Sequence, residues 1–182
     1  MTEWQMRPGR EGDGAAIGGV QTRSWRAAYA GIMPPAALEA MTPELSARSF
    51  ERGVAEGVDS LWVATAGEEL CGFVRSGPSR AQGAAADVGE VLSLYLDPDH
   101  QRKGLGRRLI QRAFEDLAAG GFREASCFVL AGNEAAARFY ARVGMSTDGR
   151  PHPLSFAGLE LPHLRFEGEL SELRVPAEPE RR

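Results

Sequence analysis

The chain has 182 residues, 43% of them hydrophobic, with 21 Lys and Arg against 25 Asp and Glu, for a formal net charge of −4. That length suits one domain with a real core, and the acidic balance speaks against a general nucleic-acid binder. No apolar run approaches the roughly 18 residues needed to cross a bilayer. The N-terminal Met-Thr-Glu-Trp-Gln-Met-Arg has no apolar leader stretch, and the two cysteines, Cys71 and Cys127, imply no disulfide framework. Together these features predict a cytoplasmic protein with no membrane or nucleic-acid partner.

From the N-terminus, Trp4–Arg7 reads as a short strand stopped by Pro8-Gly9. Asp13 is an N-cap candidate for a helix that runs to about Tyr29 and ends at Gly31. Pro34-Pro35 opens a short helix over Ala36–Met41. Thr42-Pro43-Glu44 then reads as an N-cap with proline at the first helical position, starting a third helix to about Ala55. Leu61–Ala66 and Leu70–Arg75 flank Gly67-Glu68-Glu69 and predict a hairpin. Residues 76–87, rich in Gly, Ala and Ser, predict a flexible connection. A strand over 88–96, a glycine turn, a helix over 105–119, a strand over 124–130 and a helix over 134–143 follow; Gly120-Gly121 ends the longer helix. Met145–Thr147 and Leu164–Leu170 are candidates for the last two strands. Residues 1–174 read as a single domain, and 175–182, polar and proline-rich, as a disordered tail. This order predicts a mixed α/β sheet with helices on both faces.

The most informative stretch is Gln101-Arg102-Lys103-Gly104-Leu105-Gly106, between the strand ending at Leu96 and a helix carrying Leu105, Leu109, Ile110, Ala113, Phe114 and Leu117 at helical spacing. Glycines at such a junction let the backbone turn tightly and approach a ligand. The helix N-terminus offers unpaired N–H groups and the positive end of its dipole, a ready phosphate site. Residues 101–112 add Arg102, Lys103, Arg107, Arg108 and Arg112 and no acid. A P-loop would need Gly-Lys-Ser/Thr, but Gly106 precedes Arg107-Arg108. A dinucleotide fingerprint would need a third glycine where Leu109 stands; Glu124 lies near the place of its ribose-binding acid, so that reading is weakened and stays open.

Gln101, Gly104 and Gly106, after a strand, fill the pattern Gln/Arg-x-x-Gly-x-Gly/Ala. About thirty residues later, Asn133-Glu-Ala-Ala-Ala-Arg-Phe139-Tyr140-Ala-Arg-Val-Gly144-Met145 fills Asn-x-x-Ala-x-x-Phe-Tyr-x-x-x-Gly-Phe, with methionine in the last place. The pair resembles motifs A and B of the Gcn5-related N-acetyltransferases, the GNAT family, over roughly residues 60–146. The resemblance implies a GNAT-like mixed, mainly antiparallel sheet with helices on both faces and a splayed central strand pair. It implies acetyl-CoA as co-substrate, its pantetheine arm lying in the splay and pairing with the backbone of Leu94, Tyr95 and Leu96. Gln101, Arg102, Lys103, Gly104, Leu105, Gly106 and Arg107 would hold the pyrophosphate. Asn133, in bland terms an N-cap, would also touch the arm.

Acetyl transfer from a thioester to an amine needs a neutral amine, a donor for the oxyanion and a proton for the leaving thiolate. By the resemblance, Tyr140 is the candidate acid, a phenol with a reference pKa of about 10; the competing reading is a core aromatic. Glu90, fourteen residues before Gly104, is the candidate base. Strict alternation puts it on one strand face with Leu92, Leu94 and Leu96 unless a bulge intervenes. Asp87 or water alone are the alternatives, and a strand-end glutamate in water is the plain reading. Trp25 and Tyr29 are a core stripe or an acceptor wall, and the connection 148–162 often contributes to the acceptor pocket in the family. Arg138 is expected to face water. His100 reads as an exposed loop residue, and the spacing of His100, His152 and His163 suggests no metal site.

The reading is an acetyl-CoA-dependent N-acetyltransferase moving an acetyl group to a primary amine of a small molecule or peptide by direct transfer, since no cysteine is placed for a covalent acetyl-enzyme. The alternative is a non-catalytic acyl-CoA-binding sensor of the same fold. The acceptor amine is left open by the sequence, and so is a homodimer.

Overall fold

A computed structural model describes residues 3–156 and 158–176. The hairpin signal is realised as β2 (Ser60–Ala66) and β3 (Glu69–Pro78), turned by Gly67 at φ +61°. β1 (Gln5–Pro8) pairs on the outer side of β2, and β4 (Val88–Leu96) pairs antiparallel with β3. β5 (Glu124–Leu130), β6 (Pro151–Phe156) and β7 (Leu159–Glu169) complete a seven-stranded sheet of order β1-β2-β3-β4-β5-β7-β6. Every neighbouring pair is antiparallel except β4 with β5.

Helices α1 (Gly14–Tyr29), α2 (Pro35–Ala40) and α3 (Pro43–Glu56) cover one face, and α4 (Leu105–Ala119) and α5 (Glu134–Arg142) the other. The apolar stripe read from the α4 sequence is buried at all six positions, against Val74, Val91, Ala125 and Cys127 of the sheet. On the opposite face Ile17, Val20 and Phe50 pack on Leu61, Val63, Leu70 and Phe73. Burial of each such side chain stabilises by about 1.5–3 kcal/mol, which fixes the sheet between two helical layers. No described helix is long and apolar enough to cross a membrane.

Several expectations need correction. Asp13 precedes α1 but does not cap it: its backbone is already helical (φ −74°, ψ −14°) and its carboxylate accepts from both Arg7 Nη atoms at 2.7 and 2.8 Å and from the Arg10 N–H at 2.9 Å. The Arg7 hydrogen bond holds that carboxyl below the usual range. The segment 145–147 is not a strand; it makes a single bridge, Ser146 with Glu167. The expected strand over Leu164–Leu170 is the second half of β7, whose hairpin partner is β6 and not 145–147. The sequence hid β6 because Pro151 and Pro153 break a strand pattern, and prolines are accommodated there because β6 is the sheet edge. Val175 packs against the core, so the ordered chain passes the boundary drawn at 174; residues 177–182 of the expected tail lie outside the described residues.

Candidate active site

β4 and β5 run side by side for three residue pairs only, Val88–Glu124, Gly89–Ala125 and Glu90–Ser126. β4 continues to Leu96 against β3, and β5 continues to Leu130 against β7. A wedge-shaped cleft therefore opens between them, its crotch at Glu90 and Ser126. Leu94, Tyr95 and Leu96 are paired on the β3 side with Val74, Phe73 and Gly72 and have no partner in β5, so that edge of their backbone is available to an extended ligand.

A β-bulge sits at the crotch. Ser76 pairs with Val91 and Arg75 with Ser93, which leaves Leu92 without a partner in β3. The extra residue reverses the alternation. Leu94 and Leu96 face α4, whereas Glu90, in register with Ser126, shares the α1–α3 face with Ser93 and Tyr95. Glu90 does not share a face with Leu94 and Leu96, as strict alternation would have had it.

Glu90 is 7% exposed, and its Oε2 accepts from Ser79 Oγ at 3.0 Å and from the Arg80 N–H at 2.9 Å. The neighbouring candidate Asp87 is exposed in the loop before β4. Tyr140 lies on the opposite face, packed on Phe139 (ring centroids 5.2 Å) and Phe166 (6.0 Å), with its hydroxyl beside the Cys127 thiol. Tyr140, not Phe139, is the buried member of the pair. Burial pushes its phenol well above the ordinary value, and the neighbouring Cys127, Tyr95 and Tyr29 push it the same way. Burial likewise raises the Cys127 thiol, so it stays neutral.

At the open end of the cleft, the chain leaves β4 through a 3-10 turn at Pro98–His100 and enters α4 at Gly104. Gly104 has φ +93°, a backbone state that side chains disfavour, so the turn requires glycine here. No side chain caps α4, which leaves its first-turn N–H groups for an anion. Gly106 differs: a Cβ there would meet Leu96 and Phe139 at 3.6 Å, an ordinary contact, and would point inward. Leu105 is fully buried in the α4 core stripe. Arg102 is exposed, with a left-handed φ of +56°. Lys103 donates to the Asp99 carbonyl at 2.7 Å, and Gln101 reaches the Leu96 carbonyl at 3.4 Å. Arg107 is half-buried in the first turn of α4.

Asn133 caps α5 through the Ala136 N–H at 3.1 Å, and its amide also meets the Tyr29 hydroxyl. Trp25 packs on Tyr29, Tyr95 and Phe156 at ring distances of 5.1, 6.5 and 4.8 Å. Its buried indole N–H faces the Tyr95 hydroxyl. Arg138 pairs loosely with Glu134 on the surface, as expected. His100 is half-buried, because its Nδ1 accepts from Trp4 Nε1 at 3.2 Å and ties the N-terminal segment to the turn.

Sequence reasoning missed Leu92, Ser79, Arg80 and Cys127 as parts of this site. A bulge has no composition signal, and a loop that bonds to a strand end is brought there only by the fold. What the arrangement offers is a cleft with strand-pairing edges, an anion site at one end, and a carboxylate and a phenol on opposite faces of the other.

A sequence profile described as the acetyltransferase (GNAT) family matches residues 22–145. A probable N-acetyltransferase of Mycobacterium tuberculosis is 29% identical over 147 residues, covering 78% of this chain and 80% of the relative. A phosphinothricin N-acetyltransferase of Streptomyces coelicolor is 36% identical over 91 residues, which is 49% of this chain and 53% of that protein. Among solved structures, PaiA N-acetyltransferase of Thermoplasma acidophilum in complex with coenzyme A superposes with a TM-score of 0.75 at 20% identity, over 92% of this chain and 99% of the other. YncA of Salmonella typhimurium with acetyl-CoA gives 0.69 at 21% identity, over 97% and 99%. At these identities the structural likeness speaks for the fold.

Proposed function

This chain belongs to the GNAT acetyltransferase family, and from that premise we propose that it moves the acetyl group of acetyl-CoA directly to a primary amine in a ternary complex. The observation that carries the reading is the cleft between β4 and β5, with acid and base groups on its two sides. Acetyl-CoA, the co-substrate of the family's chemistry, bound in one neighbour of this fold and present as coenzyme A in another, fits the two ends of that cleft. Its diphosphate sits on the N-terminus of α4 at Gln101 to Arg107, and its extended arm pairs with Leu94, Tyr95 and Leu96. Asn133 borders the arm from α5.

The thioester then reaches the crotch. The N–H of Leu92, the residue left without a register partner by the bulge, donates to the thioester oxygen as it becomes an oxyanion. The amine enters from the α1–α3 face, where Glu90 takes its proton directly or through water. The amine nitrogen bonds to the carbonyl carbon, the tetrahedral adduct collapses, and the C–S bond breaks. Tyr140, on the α4–α5 face, gives its proton to the departing thiolate. A thiol raised by burial is a poor nucleophile, which supports direct transfer over an acetyl-Cys127 intermediate.

Release of the CoA thiol, followed with a thiol reagent across a panel of amines, tests this reading. Amine-dependent release is expected, with Glu90→Gln lowering kcat by about 10²-fold and leaving the affinity for acetyl-CoA in place. Tight CoA binding without release for any amine would leave a binding protein, not an enzyme.

A further inference from the structure

The α1–α3 face carries a second feature beside Glu90. An open groove there is lined by Arg48 and Arg52 of α3, Arg75 of β3, Arg80 of the following loop, and Glu56. Arg75 and Arg80 are drawn together by Asp59, whose Oδ2 accepts from Arg75 Nε and from Arg80 Nη2, both at 2.6 Å. The Asp59 side chain is 2% exposed, and the Arg75 guanidinium is further fixed over the Phe50 ring at 5.7 Å. Three of the four arginines, Arg48, Arg52 and Arg80, are exposed. A guanidinium carries five donors in a planar fork suited to carboxylate or phosphate oxygens, and the Asp59 contacts use only part of that set on Arg75 and Arg80.

The groove is coupled to the site by position and by one residue. Arg75 pairs with Ser93 and Gly77 with Glu90, so Arg75 and Glu90 are diagonal neighbours on one face of the sheet, a separation of about 7–8 Å between such positions. Arg80 holds the Glu90 carboxylate with its N–H and extends its guanidinium to Asp59. The phosphates of acetyl-CoA do not account for this charge, because their site at the start of α4 lies on the other face and at the other end of β4. A macromolecular polyanion is a poor match for a protein of net charge −4.

Resting on the acetyl-transfer reading, we propose that the acceptor is an amine that also carries an anionic group. The amine stands at Glu90, and a carboxylate or phosphate group of the same molecule is held in the groove by Arg48, Arg52 and Arg80. The groove thereby selects the acceptor and aligns its nitrogen with the cleft.

Thiol release is measured with matched amines. Amino acids are compared with their α-carboxamides, in which the carboxylate is replaced by an uncharged amide, an aminoalkyl phosphate with its parent amino alcohol, and a polyamine serves as the cationic control. Either the carboxylate or the phosphate arm is expected to exceed its uncharged partner in kcat/KM by about 10- to 100-fold, mostly through KM, and the preferred arm identifies the oxyanion. Arg52→Glu is expected to lower kcat/KM for the anionic acceptor at least ten-fold more than for its uncharged partner, with the KM for acetyl-CoA unmoved; Arg48→Ala gives the smaller effect in the same direction. Turnover that favours the polyamine or the uncharged partners, or an Arg52→Glu loss equal for both members of a pair in a folded protein, overturns the proposal and leaves acetyl transfer standing. CoA binding with no release for any amine overturns both.

Discussion

Tyr140 has two properties that a leaving-group acid needs, and they arise from the same surroundings. It is 8% exposed among Phe139, Phe166 and Cys127, and that burial raises its titration well above the ordinary phenol value. It therefore carries its proton across the neutral and mildly alkaline range, where a surface tyrosine would begin to lose it near pH 10. Tyr140→Phe is expected to lower kcat by about 10²-fold while calorimetry finds CoA affinity intact. In the native protein a basic limb near the free phenol value is not expected. Equal kcat in the two proteins would make Tyr140 a packing residue. Its placement in the sequence pattern was legible; its being more buried than Phe139 was not, because a helical wheel gives spacing but not which flank meets the sheet.

At the scale of elements, the junction of β4 with α4 was read almost to the residue, since strand run, glycine turn and amphipathic helix each leave a local signature. The two glycines are not equivalent, and only Gly104 is demanded by its backbone angle. Gly104→Asp places a carboxylate at the N-cap of α4, where it satisfies the first-turn N–H groups itself and repels a phosphate. CoA affinity is expected to fall by at least about 10²-fold, as read by calorimetry, with Tm lowered by the strain of a side chain at φ +93° and a cooperative thermal unfolding transition retained. Unchanged affinity in the folded variant would remove this turn from the cofactor site. The bulge at Leu92 is the element that sequence alternation could not deliver. One extra residue moves Glu90 to the face opposite Tyr140, and that reversal separates the proposed base from the proposed acid across the sheet.

For the whole molecule, the order of elements from α1 to α5 was legible because each is bounded by proline or glycine chemistry. The C-terminal hairpin was not, because Pro151 and Pro153 of β6 are tolerated by an edge whose existence depends on the finished sheet. Two helical layers hold the sheet rigid while β4 and β5 diverge. On the proposed reading, the cleft takes the acetyl donor along its length and the amine from the α1–α3 face. Direct transfer requires both to be bound at once. The most direct test is initial-rate kinetics of thiol release, varying acetyl-CoA at several fixed amine concentrations. Reciprocal plots that intersect are the outcome of a ternary complex; parallel lines, the mark of a covalent acetyl-enzyme that releases CoA before the amine binds, would contradict it.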